Sequence, residues 1–503
     1  MSLKKNIIAN YASQLYVTGV GILILPLYIK YMGAEAYGLV GFFTMLQAWF
    51  GLLDMGLTPT IGRETARYHG GSMSALAYRQ LLRALTLIFA GVAVIGGGGL
   101  WLFSEVIANQ WLNTETLDVT EVILAVQIMA VSVALRWMGG LYRGVVTGSE
   151  RLVWLSVFNV AIATLRFIAV FGTMSLYGFT PVVFFLHQLA VAIFEIMGLW
   201  LFSLKLTPNQ NTLPAPVGWS FKPVRPVLKF ALSIAFTSSV WVLVTQTDKL
   251  VLSGILPLAE YGYFTLAVLV ASGIMVISGP VSVALMPRMA RLNAEGKREE
   301  MIQIYRNATQ LVTIIAGSAA IVIAFNAELL LFAWTGDREL AAQAAPILRL
   351  YAIGNGFLAV GAFPYYLQYA LGNLRYHLIG NAVMVALLMP GIIAAATFYG
   401  GVGAGWVWLG VNGGYLLFWV GFVHGRLVPG LHIGWLSGDV CKILFIPMLL
   451  NILFAFLNED LTYDRIAAGG VILANSAFVI LLASFGSSKV REQLRFKAKT
   501  KRV

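Results

Sequence analysis

Cysteine occurs once in the chain, at Cys441 within an apolar stretch, which excludes a disulfide framework and a thiolate metal site. Charge is also sparse: 11% of the 503 residues are Asp, Glu, Lys or Arg, against roughly a quarter in a soluble domain. The polar stretches are too short to fold outside a membrane as a catalytic domain. Metal motifs, nucleophile elbows and the phosphate-cradling Gly loops of nucleotide hydrolases are also missing. The chain therefore reads as a non-enzyme without a cofactor, and any work it does draws on a gradient or on the fate of what it handles. Strict apolar–polar alternation, the mark of a membrane β-barrel, is absent as well.

What the sequence has in abundance is apolar length. Hydrophobic residues make up 59% of it, in recurring runs of about 20 residues, each long enough to cross a hydrocarbon core of ~30 Å. Helices satisfy their own backbone there, so the fold class is all-α integral membrane. The runs predict about fourteen spans, near 8–31, 36–60, 78–104, 119–141, 152–174, 180–204, 229–255, 260–286, 304–326, 343–370, 376–398, 402–424, 438–457 and 465–485. The opening segment carries Lys4 and Lys5 before a run too long for a signal peptide, and it reads as an uncleaved first span. Sorted by these spans, 27 of the 34 Lys and Arg residues fall on the side shared by both termini, three (Lys30, Arg338, Arg465) on the other and four within spans. Both termini are therefore expected in the cytoplasm. The tail 489–502 holds seven Lys/Arg against one acid, which suits anionic phospholipid headgroups and calls for no nucleic acid.

A polar, Pro-rich stretch from Lys205 to Arg225 reads as a semi-rigid linker. The segments around it repeat: Ala34-Glu35-Ala36-Tyr37-Gly38 returns as Leu258-Ala259-Glu260-Tyr261-Gly262, and Ala66-Arg67 as Ala290-Arg291, both at an offset of 224. The repeat predicts two parallel six-helix lobes, 1–204 and 229–425, joined by a cytoplasmic linker 205–228 and followed by two further helices and the basic tail, 426–503. Parallel repeats place a substrate between lobes near the membrane middle and permit alternating access.

Ionisable residues inside spans are costly unless paired or wet, so they are the candidate site. They are Asp54, Arg136, Arg166, Glu195, Asp248, Lys249 and Arg349, with His187 beside them. Arg136 lies close enough to the cytoplasmic end to snorkel. Arg166 is ~20 Å from the start of its span and needs an acid, a ligand or water; His187 and Glu195 are its candidate neighbours. Lys249 and Arg349 enter their spans at similar outer depth, and the two cations could face one cavity suited to a phosphate or acidic sugar. Trp241, Thr245 and Asp248 share a helix face at i, i+4, i+7, offering an aromatic and a carboxylate for sugar contact or ion coupling; equally, Asp248 could merely neutralise Lys249 or Arg349. Asp54 fits a gate or a simple salt bridge, and Arg63 and Arg288 are gating candidates at cytoplasmic span ends. No metal site is read.

The segments Leu25-Pro26-Leu27-Tyr28, Gly33 to Gly38, Gly51 to Leu57, Asp248 to Ser253, Glu260-Tyr261-Gly262-Tyr263 and Ala370-Leu371-Gly372-Asn373 together resemble bacterial polysaccharide flippases of the O-antigen repeat-unit type. These belong to the multidrug/oligosaccharidyl-lipid/polysaccharide exporter superfamily. The resemblance covers most of residues 1–425 and implies a two-lobe fold around a hydrophilic cavity. It implies transfer of an undecaprenyl-type, polyprenyl-diphosphate-linked oligosaccharide from the cytoplasmic to the periplasmic leaflet of the bacterial inner membrane, with H+ or Na+ as coupling ion. A polysaccharide polymerase and a chain-length regulator are the protein partners it implies. A multidrug or lipid II-like exporter is the alternative within the superfamily. An oligosaccharide polymerase or ligase would need larger outer loops.

Overall fold

The computed structural model of the chain describes residues 3–54, 56–209, 213, 215–221, 223–458 and 463–492. Met55, part of the predicted linker and the basic tail beyond Glu492 lie outside the described residues. Among these residues the regular structure is helical, and twelve helices are long and apolar enough to cross a membrane. The chain is a multi-pass α-helical membrane protein. Helix starts follow the caps written in the sequence: Ser74 accepts from Ala77 N at 3.2 Å, Thr180 before Pro181 accepts from Val183 N at 3.3 Å, and Asp464 accepts from Ala467 N at 2.7 Å. Each side chain satisfies a backbone donor that the first turn would leave open.

One of the twelve spans, Arg375–Leu427, is 53 residues long and covers two of the predicted windows. It breaks at Gly400, whose φ of 56° and ψ of −141° a side chain would oppose. A Cβ on Gly391 would come within 2.9 Å of Val407, and one on Gly380 within 2.3 Å of Trp419. The two arms therefore fold back on each other as a hairpin. The predicted window 229–255 falls on the helix Val224–Ser253.

The chain forms two compact units, Met1–Gly262 and Tyr263–Val503. The first is built on the helix Val119–Gly148, which packs against Leu57–His69, Ala75–Leu102 and Pro181–Leu206. Its buried Val122, Ala125, Val126, Met129 and Val133 recur at helical spacing. In the four-glycine run at 96–99, Gly97 lies close against a neighbouring helix: a Cβ there would lie 2.8 Å from Ala134. The helix Val224–Ser253 packs on Ala34–Leu53 and Leu57–His69. The two copies of the sequence repeat touch within this unit. A Cβ on Gly38 would meet Leu258 O, and one on Gly262 would stand 2.8 Å from Ala34 O. In the second unit Tyr305, Phe363, Trp435 and Met289 centre the core, and the helices Lys442–Asn458 and Arg465–Gly486 pack on Ser318–Phe325.

Candidate functional site

Within the first unit, four side chains from the helices Val119–Gly148 and Pro181–Leu206 form two rungs. Arg136 donates to Gln188 Oε1 at 2.7 Å, and Arg143, two turns on, donates to Glu195 Oε1 at 2.8 Å, two turns beyond Gln188. The i, i+7 spacing on both helices keeps the rungs on facing sides. Arg136 also reaches Gln47 Oε1 at 3.0 Å and lies over the Phe43 ring at 5.0 Å. Its charge is therefore spent inside the unit, which replaces the snorkelling expected from sequence.

Arg166 arrives from the next helix through a local distortion. Residues Leu165–Ala169 form a π-helical turn between Leu152–Thr164 and Val170–Tyr177. Such a turn widens the helix and loosens its carbonyls, and three consecutive ones are taken by neighbours. His187 Nε2 bonds Leu165 O at 2.9 Å, Gln188 donates to Arg166 O at 2.9 Å, and the Tyr28 hydroxyl donates to Phe167 O at 3.2 Å. With Thr173 Oγ1 2.9 Å from His187 Nδ1, these partners assign the Nε2-protonated tautomer. Held this way, Arg166 donates to Glu195 Oε2 at 2.8 Å. Of its two predicted neighbours, Glu195 pairs with its guanidinium, and His187 supports the turn instead.

Glu195 thus bridges two guanidiniums, one on each oxygen, while Asn159 Oδ1 takes a second donor of Arg143 at 2.7 Å. Arg143, Asn159, Arg166 and Glu195 line a cavity of about 330 Å³ with Asn10, Ser13 and Gln14 of the first helix. Arg136 Nε and Arg166 Nε are buried without a hydrogen-bond partner among the described residues. Three cations against one acid leave the cluster net positive, in helices otherwise built for hydrocarbon.

Asp248 is 1% exposed, and Lys249, also in the first unit, donates to Thr245 O at 2.6 Å and lies 3.5 Å from the Asp248 carboxylate. Trp241 is half exposed, so the i, i+4, i+7 face is not one environment. Arg349 is exposed and belongs to the second unit. Asp54 is in no ion pair among the described residues. Its carboxylate accepts from Thr58 N at 3.2 Å and from the Thr58 hydroxyl, capping Leu57–His69. Arg63 stands beside Glu64 at 3.9 Å, and Arg288 is exposed.

Sequence reading missed Arg143, Asn159, Asn10 and Gln14. Seven-residue spacing from Arg136 was the signal for Arg143. A second polar cluster, in the second unit, was missed entirely: Asp439 accepts from Arg306 Nε at 2.6 Å and Gln310 Nε2 at 2.7 Å, while Gln310 Oε1 accepts from Ser487 at 2.6 Å. Both acceptor sets join helices far apart in the chain and serve packing.

Comparison with known proteins agrees with this architecture. The family described as polysaccharide biosynthesis protein matches residues 3–293, and the MatE family matches residues 233–392. A Shigella flexneri protein named "Putative O-antigen transporter" is 20% identical over 382 residues, 75% of this chain and 86% of that one. Among solved structures, the lipid II flippase MurJ in an inward closed conformation superposes with a TM-score of 0.67 at 14% identity, over 95% of this chain and 97% of its own. An inward-facing multidrug resistance MATE family transporter superposes at 0.63 and 14% identity, over 83% of this chain and 97% of its own.

Proposed function

We propose that this chain, which belongs to the polysaccharide biosynthesis protein family and so to the multidrug/oligosaccharidyl-lipid/polysaccharide exporter superfamily of transporters and flippases, flips a polyprenyl-diphosphate-linked oligosaccharide. The move is from the cytoplasmic to the periplasmic leaflet of a bacterial inner membrane by alternating access, coupled to an H+ or Na+ gradient. The observation that carries the reading is the cavity bordered by Arg143, Arg166 and Glu195. A diphosphate cannot enter hydrocarbon bare, and guanidiniums in a low-dielectric site replace its lost water with charge-assisted hydrogen bonds. Amide and hydroxyl groups on the same wall offer sugar hydroxyls both donors and acceptors. A cationic drug would meet the wrong sign of charge. The lipid tail stays in the bilayer, and the sugar is handed to a polymerase working with a chain-length regulator.

The test is reconstitution in liposomes with a fluorescent polyprenyl-diphosphate oligosaccharide, scoring leaflet exchange with and without H+ and Na+ gradients. Wild type should exchange the lipid, and the Arg143→Ala, Arg166→Ala double variant should lose at least about tenfold, two charge-assisted contacts each discounted for partial exposure. Export of cationic dyes with no exchange of lipid-linked sugar would transfer the protein to the drug-exporter branch.

A further inference from the structure

We propose, building on the flippase reading, that Glu195 is the resident counter-anion of a phosphate subsite formed by Arg143 and Arg166, and that the substrate's phosphate displaces it. The geometry is that of an oxyanion bridging two guanidiniums: Oε1 to Arg143 and Oε2 to Arg166, each at 2.8 Å. All three side chains line the cavity, so the bridge is open to competition from an anion entering it. The protein also uses fewer donors than it supplies. Arg166 Nε is buried with no partner among the described residues, and a phosphate, with more oxygens than a carboxylate, can reach it.

Competition explains selection and release together. A ligand carboxylate would only exchange one carboxylate for another, gaining nothing over Glu195. A diphosphate brings more charge and more acceptors than the group it evicts, and the freed arginines, together +2, match it. A site that must also let its ligand go cannot hold it without opposition, because conduction through a membrane needs binding weak enough to leave. The return of Glu195 to the arginine pair supplies that opposition. Glu195 therefore acts on the ligand through Arg143 and Arg166, as a positioning residue.

The reading makes two variants move in opposite directions. Glu195→Gln keeps the size and one acceptor but removes the competing charge: inorganic pyrophosphate should bind about tenfold tighter, while lipid exchange slows severalfold because release is impeded. Asn159→Asp places a second carboxylate on Arg143, from a position already 2.7 Å away, and should weaken pyrophosphate about tenfold. A merely structural role would lower affinity and exchange together. Isothermal titration of the full chain in neutral-lipid nanodiscs with pyrophosphate, with inorganic phosphate and with acetate, beside the liposome assay, reads both quantities. Displacement of bound pyrophosphate by the lipid-linked diphosphate but not by phosphatidylglycerol assigns the subsite to the substrate's headgroup; equal displacement by both overturns that assignment. Unchanged pyrophosphate affinity in a folded Glu195→Gln, or in Asn159→Asp should the first variant fail to fold, overturns the counter-anion. Lipid exchange by wild type alongside that result leaves the flippase reading standing. Opposite shifts in the two variants without any exchange of lipid-linked sugar leave the subsite standing and remove its proposed substrate.

Discussion

Removing the Glu35 carboxylate tests how the repeat motif holds the first unit together. Glu35 is 8% exposed in the first turn of Ala34–Leu53 and accepts from three consecutive backbone donors, Glu115 N at 2.7 Å, Thr116 N at 2.9 Å and Leu117 N at 3.2 Å, as well as from the Thr116 hydroxyl. A hydrogen bond to a charged group contributes about 1.5–3 kcal/mol net. The donors sit in a loop whose residues 115 and 116 are exposed, so water recovers part of each loss, and Glu35→Ala should cost about 2–4 kcal/mol in total. The other copy of the motif supplies the control. Its glutamate, Glu260, is one position further along the helix when Tyr37 is matched to Tyr261, and it is exposed; Glu260→Ala should cost less than about 0.5 kcal/mol. Unfolding in mixed micelles gives the difference, and amide exchange at 115–117 should quicken in Glu35→Ala alone. Equal stabilities for the two variants, or unchanged exchange at those amides, would refute the capping argument.

Three further outcomes follow from particular contacts. Gly38→Ala should fail to fold or lose more than about 3 kcal/mol, because its new methyl would collide with the backbone oxygen of Leu258, whereas Gly99→Ala, with nothing within 4 Å, should be neutral or gain up to about 1 kcal/mol of helix propensity; expression and melting of the pair decide. Asp439→Asn should cost about 1–3 kcal/mol in a denaturant titration, less than for a sealed ion pair because the Arg306 side chain is 36% exposed and can turn to water; no loss in Asp439→Asn beside a clear loss in Asp439→Leu would show that charge has no part in it. At the turn after Leu258–Ala294, hydrogen bonds from Arg291 and Lys297 hold the Glu295 carboxyl below the ordinary glutamate range. A depressed carboxyl stabilises the turn above its unfolded pKa and loses that contribution as pH falls through the folded one. Hydrogen exchange at 295–298, corrected for its intrinsic pH dependence, should therefore show protection constant near neutrality and declining in acid below that range. Glu295→Gln should abolish the pH dependence.

The spans were legible because nothing but a membrane explains apolar runs of that length. The windows 180–204 and 465–485 reappear as Pro181–Leu206 and Arg465–Gly486. Arg166 and Glu195 were legible as partners for a related reason: opposite charges on consecutive spans are each too costly to leave alone. The Asp248–Lys249 pair was legible too, but the local partners of Asp54 and Lys249, Thr58 and Thr245, were not. A charge can be satisfied by its own chain, Asp54 by Thr58 and Lys249 by Thr245 O, and composition does not distinguish such a local partner from a distant ligand.

Arg143 was missed for a reason that concerns polar cavities in general. The window ended at 141 because charge ended it, yet the helix runs to Gly148, and its 30 residues cover ~45 Å at 1.5 Å per residue, well beyond a ~30 Å hydrocarbon core. A hydropathy window stops at the first charge whether that charge meets headgroups or lines the interior of the protein. The error is therefore greatest where an aqueous cavity reaches into a bundle, which is where a transporter keeps its site. Arg166 adds a second obstacle. Across the π-helical turn at Leu165–Ala169 the helix gains about one residue, and a 3.6-residue periodicity projected through it is out of phase by ~100°. Polar spacing between helices, the 136–188 and 143–195 rungs that share a separation of 52, survives both problems, because it depends neither on where the membrane ends nor on the phase of any one helix.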